Sequence, residues 1–180
     1  MTDLQRLTAR ELVAALRSRE VSAREALASH LARIEEVNPA VNAIVTLDPE
    51  GALARATAAD ELAASGADLP PLHGLPLTHK DSFMVAGMRS TMGSPILADN
   101  IPAQDDLVIA RLRAAGVVAT GKSNVPEFAA GSHTFNEVFG TTTNPWAPTR
   151  SAGGSSGGVA AAITSGIQPI GDGSDMGGSL

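Results

Sequence analysis

From residue 72 onward, short apolar runs alternate with helical stretches, and that alternation limits the chain more than any other feature. Leu75-Pro76-Leu77-Thr78, Val117-Val118-Ala119-Thr120 and Gln168-Pro169-Ile170 read as strands; Leu107–Ala115 and Gly157–Ser165 read as helices. Strands and helices in alternation predict an α/β layered fold. Asp105 or Asp106 stands where a side chain can cap the helix at Leu107, and Gly116 stands where a left-handed C-terminal cap belongs.

Upstream, residues 1–66 read as helices. Thr8-Ala9-Arg10-Glu11 and Ser22-Ala23-Arg24-Glu25 both match the capping box. Leu27, His30, Leu31, Ile34 and Val37 then form one apolar stripe, which Asn38-Pro39 is expected to end. His30 reads as a packed histidine rather than a ligand. An extended piece, Ala43–Thr46, and an Ala-rich helix, Pro49–Ala64, lead into a linker at Ser65–Pro71. The expected division is an N-terminal helical segment over 1–70 and an α/β part over 71–180.

Of 180 residues, 43% are hydrophobic and 18% charged, which suits a globular core. A net charge of −6 leaves little for a broad phosphate-binding face, so no nucleic acid is expected as a direct partner. With no cysteine, disulfides, cysteine nucleophiles and thiolate metal sites all drop out. Met1-Thr2-Asp3-Leu4-Gln5-Arg6 opens no secretory leader, and no run reaches the roughly 18 apolar residues of a membrane helix. The expectation is a cytoplasmic protein with no membrane partner.

Most of the 18 glycines fall after position 115. Gly116-Val117-Val118-Ala119-Thr120-Gly121-Lys122-Ser123 satisfies the phosphate-loop formula letter by letter. Its middle residues look like a strand, however, and Pro126 forbids a long helix from Ser123. A nucleotide-binding module over 116–123 is therefore only a different-class alternative. Gly153-Gly154-Ser155-Ser156-Gly157-Gly158 contains the G-x-S-x-G elbow, yet Asn144–Arg150 before it reads as loop and no histidine follows His133. A third reading joins this cluster to Gly171–Ser179. Successive glycines let backbone amides converge on an anion, including the oxyanion of acyl transfer, beside a serine that could attack a carbonyl. Without a usable histidine the base must be Lys, Asp or Glu. Lys80, at the end of an apolar strand, stands out because burial could leave it a free amine; the plainer reading makes it a salt-bridge partner of Asp81. His79 and His133 read as bystanders.

These residues resemble the amidase signature family. The resemblance runs from about Leu72 to Leu180 and rests on five stretches in order: Gly74–Asp81, Gly121–Phe128, Phe139–Trp146, Gly153–Gly158 and Gly171–Leu180. The intervals of 75 residues from Lys80 to Ser155 and 24 from Ser155 to Ser179 also match. The resemblance implies a mixed β-sheet covered by helices and a Ser-Ser-Lys triad. Ser179 would be the nucleophile, Ser155 (after a cis peptide bond) the proton relay, and Lys80 the base. The oxyanion hole would be the amides of Met176, Gly177, Gly178 and Ser179. The implied reaction is hydrolysis of a small-molecule carboxamide through an acyl-enzyme, with no metal or organic cofactor. Glu127, Asn144 and Trp146 look like scaffold around the site. Ser174-Asp175-Met176 looks more like the broad amidases than the glutaminase chain of the tRNA-dependent amidotransferase, which stands second. A homo-oligomer is left open. Family members are more than twice this long, so a truncated chain with an incomplete fold and little activity alone is expected.

Overall fold

The computed structural model describes residues 4–180; Met1, Thr2 and Asp3, the head of the charged opening stretch, lie outside the described residues. Helices α1 (Ala9–Ser18) and α2 (Ala23–Val41) both start at the expected capping boxes. In the second, Glu25 N donates to Ser22 Oγ at 3.1 Å and Ser22 N donates in return to Glu25 Oε2 at 2.9 Å, so two free amides are satisfied reciprocally. Leu27, His30 and Ile34 of the stripe are buried, with Leu31 and Val37 half-buried beside them.

Helix α2 does not stop at Asn38-Pro39 but runs through Pro39 to Val41. A proline in the last turn forfeits a single amide hydrogen bond there, and Asn38 holds the exit. Its Oδ1 accepts from Ala43 N (2.9 Å) and Ile44 N (2.8 Å), while Nδ2 donates to Ile44 O (2.8 Å). Strand β1 (Ile44–Leu47) and helix α3 (Pro49–Ser65) follow, with Asp48 accepting from Gly51 N at 3.0 Å as the cap.

Next come β2 (Pro76–Lys80), α4 (Leu107–Ala114) and β3 (Val118–Ser123). The sheet order is β1-β3-β2; β3 runs parallel to β2 and antiparallel to β1, which makes the sheet mixed. Every residue of β2 and β3 is buried, as expected of strands covered on both faces. β1 presses so closely on β3 that a Cβ on Gly121 would lie 2.1 Å from Thr46 O. Leu12, Leu16, Leu27, Ala52 and Ala56 of the first three helices pack against Leu75 and Val118. Val85, Met88 and Ile109 pack with Ala119 in a separate cluster. A further cluster joins Ile34, Val41 and Ile44 to Ala161 and Ala162 of α5 (Gly157–Thr164).

Three further expectations need correcting. Asp106 occupies the cap position of α4 without a side-chain cap bond; it accepts from Met84 N at 2.9 Å, and Asp105 accepts from Ala86 N at 2.7 Å, so both carboxylates brace the preceding loop. Gln168-Pro169-Ile170 is not a strand. Gln168 instead turns its side chain onto β2, where Oε1 accepts from Thr78 N (3.0 Å) and Thr78 Oγ1 (2.7 Å). Asn144–Arg150 is not plain loop. After the small ribbon β4 (Phe135–Asn136) and β5 (Gly140–Thr141), strands β6 (Thr143–Asn144) and β7 (Ala147–Ser151) pair around Pro145-Trp146, with Trp146 N donating to Asn144 Oδ1 at 2.9 Å.

Candidate active site

The end of β2, the cis Gly154–Ser155 peptide leading into α5, and the segment after Ile167 meet at one point. Lys80, with no exposed surface, projects into it. Its Nζ lies 2.8 Å from Ser155 Oγ, 2.9 Å from Ser156 Oγ, 2.8 Å from Ser174 Oγ, 3.3 Å from Ser174 O and 3.5 Å from Ser179 Oγ. Ser155 Oγ is 3.0 Å from Ser179 Oγ, so the three residues singled out as a triad stand within mutual reach. Burial lowers the Lys80 pKa below the ordinary lysine value, while the Asp172 and Asp175 carboxylates push the other way.

Asp81 does not pair with Lys80, as the plainer reading required. It pairs with Lys122 at 3.3 Å and accepts from Thr91 Oγ1 at 2.6 Å. Lys122 Nζ also donates to Phe83 O (2.5 Å) and Ser90 Oγ (2.9 Å). Gly121-Lys122-Ser123 is part of β3 with the lysine fully enclosed, so the 116–123 segment presents no phosphate cradle.

A strand, β7, does precede Gly153 and Gly154, as a nucleophile elbow requires. It belongs to an exposed two-stranded ribbon, however, rather than to the central sheet. His133 is engaged by Ser151 Oγ at 2.8 Å. Trp146 is 86% exposed on the β6–β7 turn and does not pack around the site; Glu127 accepts from Ser94 Oγ at 2.6 Å.

Sequence reasoning missed Ser156, Ser174 and Asp172. Ser156 opens α5, and both its amide (2.8 Å) and its hydroxyl (2.7 Å) reach Ser179 Oγ. Its place beside Ser155 was the available signal. Of the amides expected to form the oxyanion hole, those of Gly177, Gly178 and Ser179, but not Met176, turn to the chain's own Asp175, together with Leu180 N from outside that set. Gly178 N donates to its Oδ1 (2.5 Å) and Leu180 N to its Oδ2 (3.0 Å). Those bonds, with others from Ser179 and Gly177, lower the Asp175 pKa. The Met176 side chain stands fully in solvent. Chemically, the arrangement offers an amine with no carboxylate at ion-pair distance among the described residues, a chain of hydroxyls, and a glycine-rich loop whose amides already hold an anion.

The Amidase family model matches residues 25–180. In Acidothermus cellulolyticus, the glutamyl-tRNA(Gln) amidotransferase chain designated A is 49% identical over all 180 residues, which span 36% of that relative. Among solved structures, a bacterial aryl acylamidase belonging to the amidase signature enzymes superposes with a TM-score of 0.87 at 31% identity, over 92% of this chain and 34% of that one. A fatty acid amide hydrolase superposes with a TM-score of 0.92 at 28% identity, over 98% and 31%. The chain thus spans about a third of the length of the relatives it matches.

Proposed function

Because this chain belongs to the Amidase family, we propose that it carries the catalytic serine of a cytoplasmic amidohydrolase acting on small-molecule carboxamides. The observation that carries this is the unbroken path Ser179 Oγ–Ser155 Oγ–Lys80 Nζ, with steps of 3.0 and 2.8 Å. Neutral Lys80 takes the Ser155 proton as Ser155 takes that of Ser179. The Ser179 oxygen bonds to the substrate carbonyl carbon, and the C–N bond breaks as the amine leaves with the proton returned along the path. Water then hydrolyses the ester to a carboxylic acid and restores the serine. The Ser156 amide, at the start of α5, stabilises the developing alkoxide at Ser179 Oγ. For the amides of Gly177, Gly178 and Ser179 to receive the substrate oxyanion, the Asp175 carboxylate must withdraw. No cofactor enters this reading.

The test is reaction with a serine-directed fluorophosphonate in the protein at its natural length, with the labelled residue mapped. Label on Ser179 that Lys80→Met removes supports the assignment; label on Ser155 alone, or label indifferent to Lys80, overturns it. The 49% identity to a glutamyl-tRNA(Gln) amidotransferase chain favours a second reading, a glutaminase that passes ammonia to a partner protein. Strict preference for glutamine and co-purifying partner proteins would select it; broad amide turnover by a lone chain or a homo-oligomer would select the first.

A further inference from the structure

Asp172 meets Lys80 at its backbone amide, whereas the serines meet it at Nζ. Its carboxylate is buried and makes two bonds of different kinds: Oδ1 accepts from Lys80 N at 2.6 Å, and Oδ2 faces His79 Nδ1 at 2.5 Å. The His79 and Asp172 side chains are only 1% and 7% exposed. A carboxylate can only accept, so the imidazole donates through Nδ1. Two adjacent residues of β2 are thus tied to one acidic group from the segment after α5. Neither the amine chemistry nor the sheet requires an acid there, since a carbonyl would satisfy the Lys80 amide equally well.

We propose that Asp172, held and partly shielded by His79, is a positioning residue that supplies the counter-charge to Lys80 when the amine takes up its proton. This rests on Lys80 acting as the base. A buried amine that must gain and lose a proton needs an anion near enough to stabilise the charged form, but not so near that it locks that form in place. Asp172 satisfies both conditions: it holds the Lys80 backbone rather than Nζ, and the Nδ1–H of His79 draws off part of its charge. The other charged groups around the pair are Asp175, Lys122 of β3 with its partner Asp81, which directly follows Lys80, and Asp105 and Asp106, just before α4.

The experiment follows the rate of fluorophosphonate labelling of Ser179 against pH in the protein at its natural length. In Asp172→Asn the amine loses a neighbouring negative charge, so its acid limb moves to lower pH by about one unit. In His79→Leu the carboxylate keeps its charge unshielded, so the limb moves to higher pH by less. Opposite shifts support the inference; limbs that coincide with the unmutated protein, or move together, overturn it. If Asp172→Asn fails to fold by circular dichroism, His79→Leu decides alone: an upward shift supports, no shift or a downward one overturns. A measurement on the unmutated protein stands beside these. The His79 Nδ1 proton resonance should move with the labelling midpoint, and a resonance indifferent to it overturns the inference. Failure of the underlying assignment reads differently, because Lys80→Met would then label as fast as the unmutated protein at every pH.

Discussion

Two lysines with no exposed surface sit on neighbouring parallel strands, Lys80 on β2 and Lys122 on β3, and their surroundings differ. Lys122 has a carboxylate at 3.3 Å, a carbonyl and a hydroxyl; its charge is answered where it stands. Lys80 has hydroxyls and one carbonyl around Nζ, and its nearest acid, Asp172, holds its backbone instead. Burial lowers both pKa values, but only Lys122 has a direct ion pair opposing the shift. Burial alone therefore does not distinguish the lysine proposed as a base from one held in an ion pair. What distinguishes them is whether an anion stands within ion-pair distance of the nitrogen, as Asp81 does at Lys122, or only hydroxyls and a carbonyl do, as at Lys80.

The largest effect should come from removing the amine that lacks an ion pair. Lys80→Met should slow labelling of Ser179 by about 10⁴-fold while the thermal midpoint moves little. A comparable fall in stability would erase the contrast. Lys122→Met should do the reverse, costing about 4 kcal/mol in urea unfolding because Asp81 is left charged and buried. Lys122→Met combined with Asp81→Leu should recover much of that loss, since it removes the stranded charge as well.

A third test separates site titration from fold titration. His30 is buried with Nδ1 on Ile167 O and Nε2 on Thr120 Oγ1, both at 2.9 Å, and burial pushes its pKa down to about 4. The unfolded chain therefore binds more protons between about pH 6.5 and 4, and folding stability should fall as pH drops through that window, by about 3 kcal/mol in all. The fall should be much reduced in His30→Gln, with the remainder carried by His73, whose pKa burial also lowers, and absent when both are replaced. An undiminished fall in His30→Gln would refute the assignment. The smallest effect belongs to the edge of β2. Gln168→Ala strips the acceptor from Thr78 N and should cost about 1 to 2 kcal/mol, with labelling of Ser179 largely kept.

Legibility in the sequence varies by residue. Lys80 can be picked out because it ends an apolar strand, and the glycine clusters around Ser155 and Ser179 announce a backbone constraint, but the roles of the two serines come only from the family resemblance. Ser174 and Asp172 cannot, because their importance comes from the 94 and 93 residues of chain that fold back to Lys80 and His79, a distance no local pattern spans. The starts of α1 and α2 are legible through reciprocal side-chain caps, whereas the end of α2 is not, because Asn38 overrides the proline signal by bonding to residues beyond the helix. The β6–β7 hairpin escapes because its strands are largely exposed and carry no apolar alternation. His30 reads as packed, and the carbonyl and hydroxyl that satisfy both its nitrogens explain why it can be.

β3 is the middle strand of the sheet, flanked by β1 from far upstream and by β2. A chain emerging from the ribosome therefore completes α1, α2 and α3 with their apolar faces still open, and must wait for Val118 and its neighbours before those faces are covered. Until then β1 has no partner at its edge. Chaperone engagement should be concentrated in that interval of synthesis, and anything that delays the middle strand should be felt as aggregation of nascent chains before it is felt as lost catalysis.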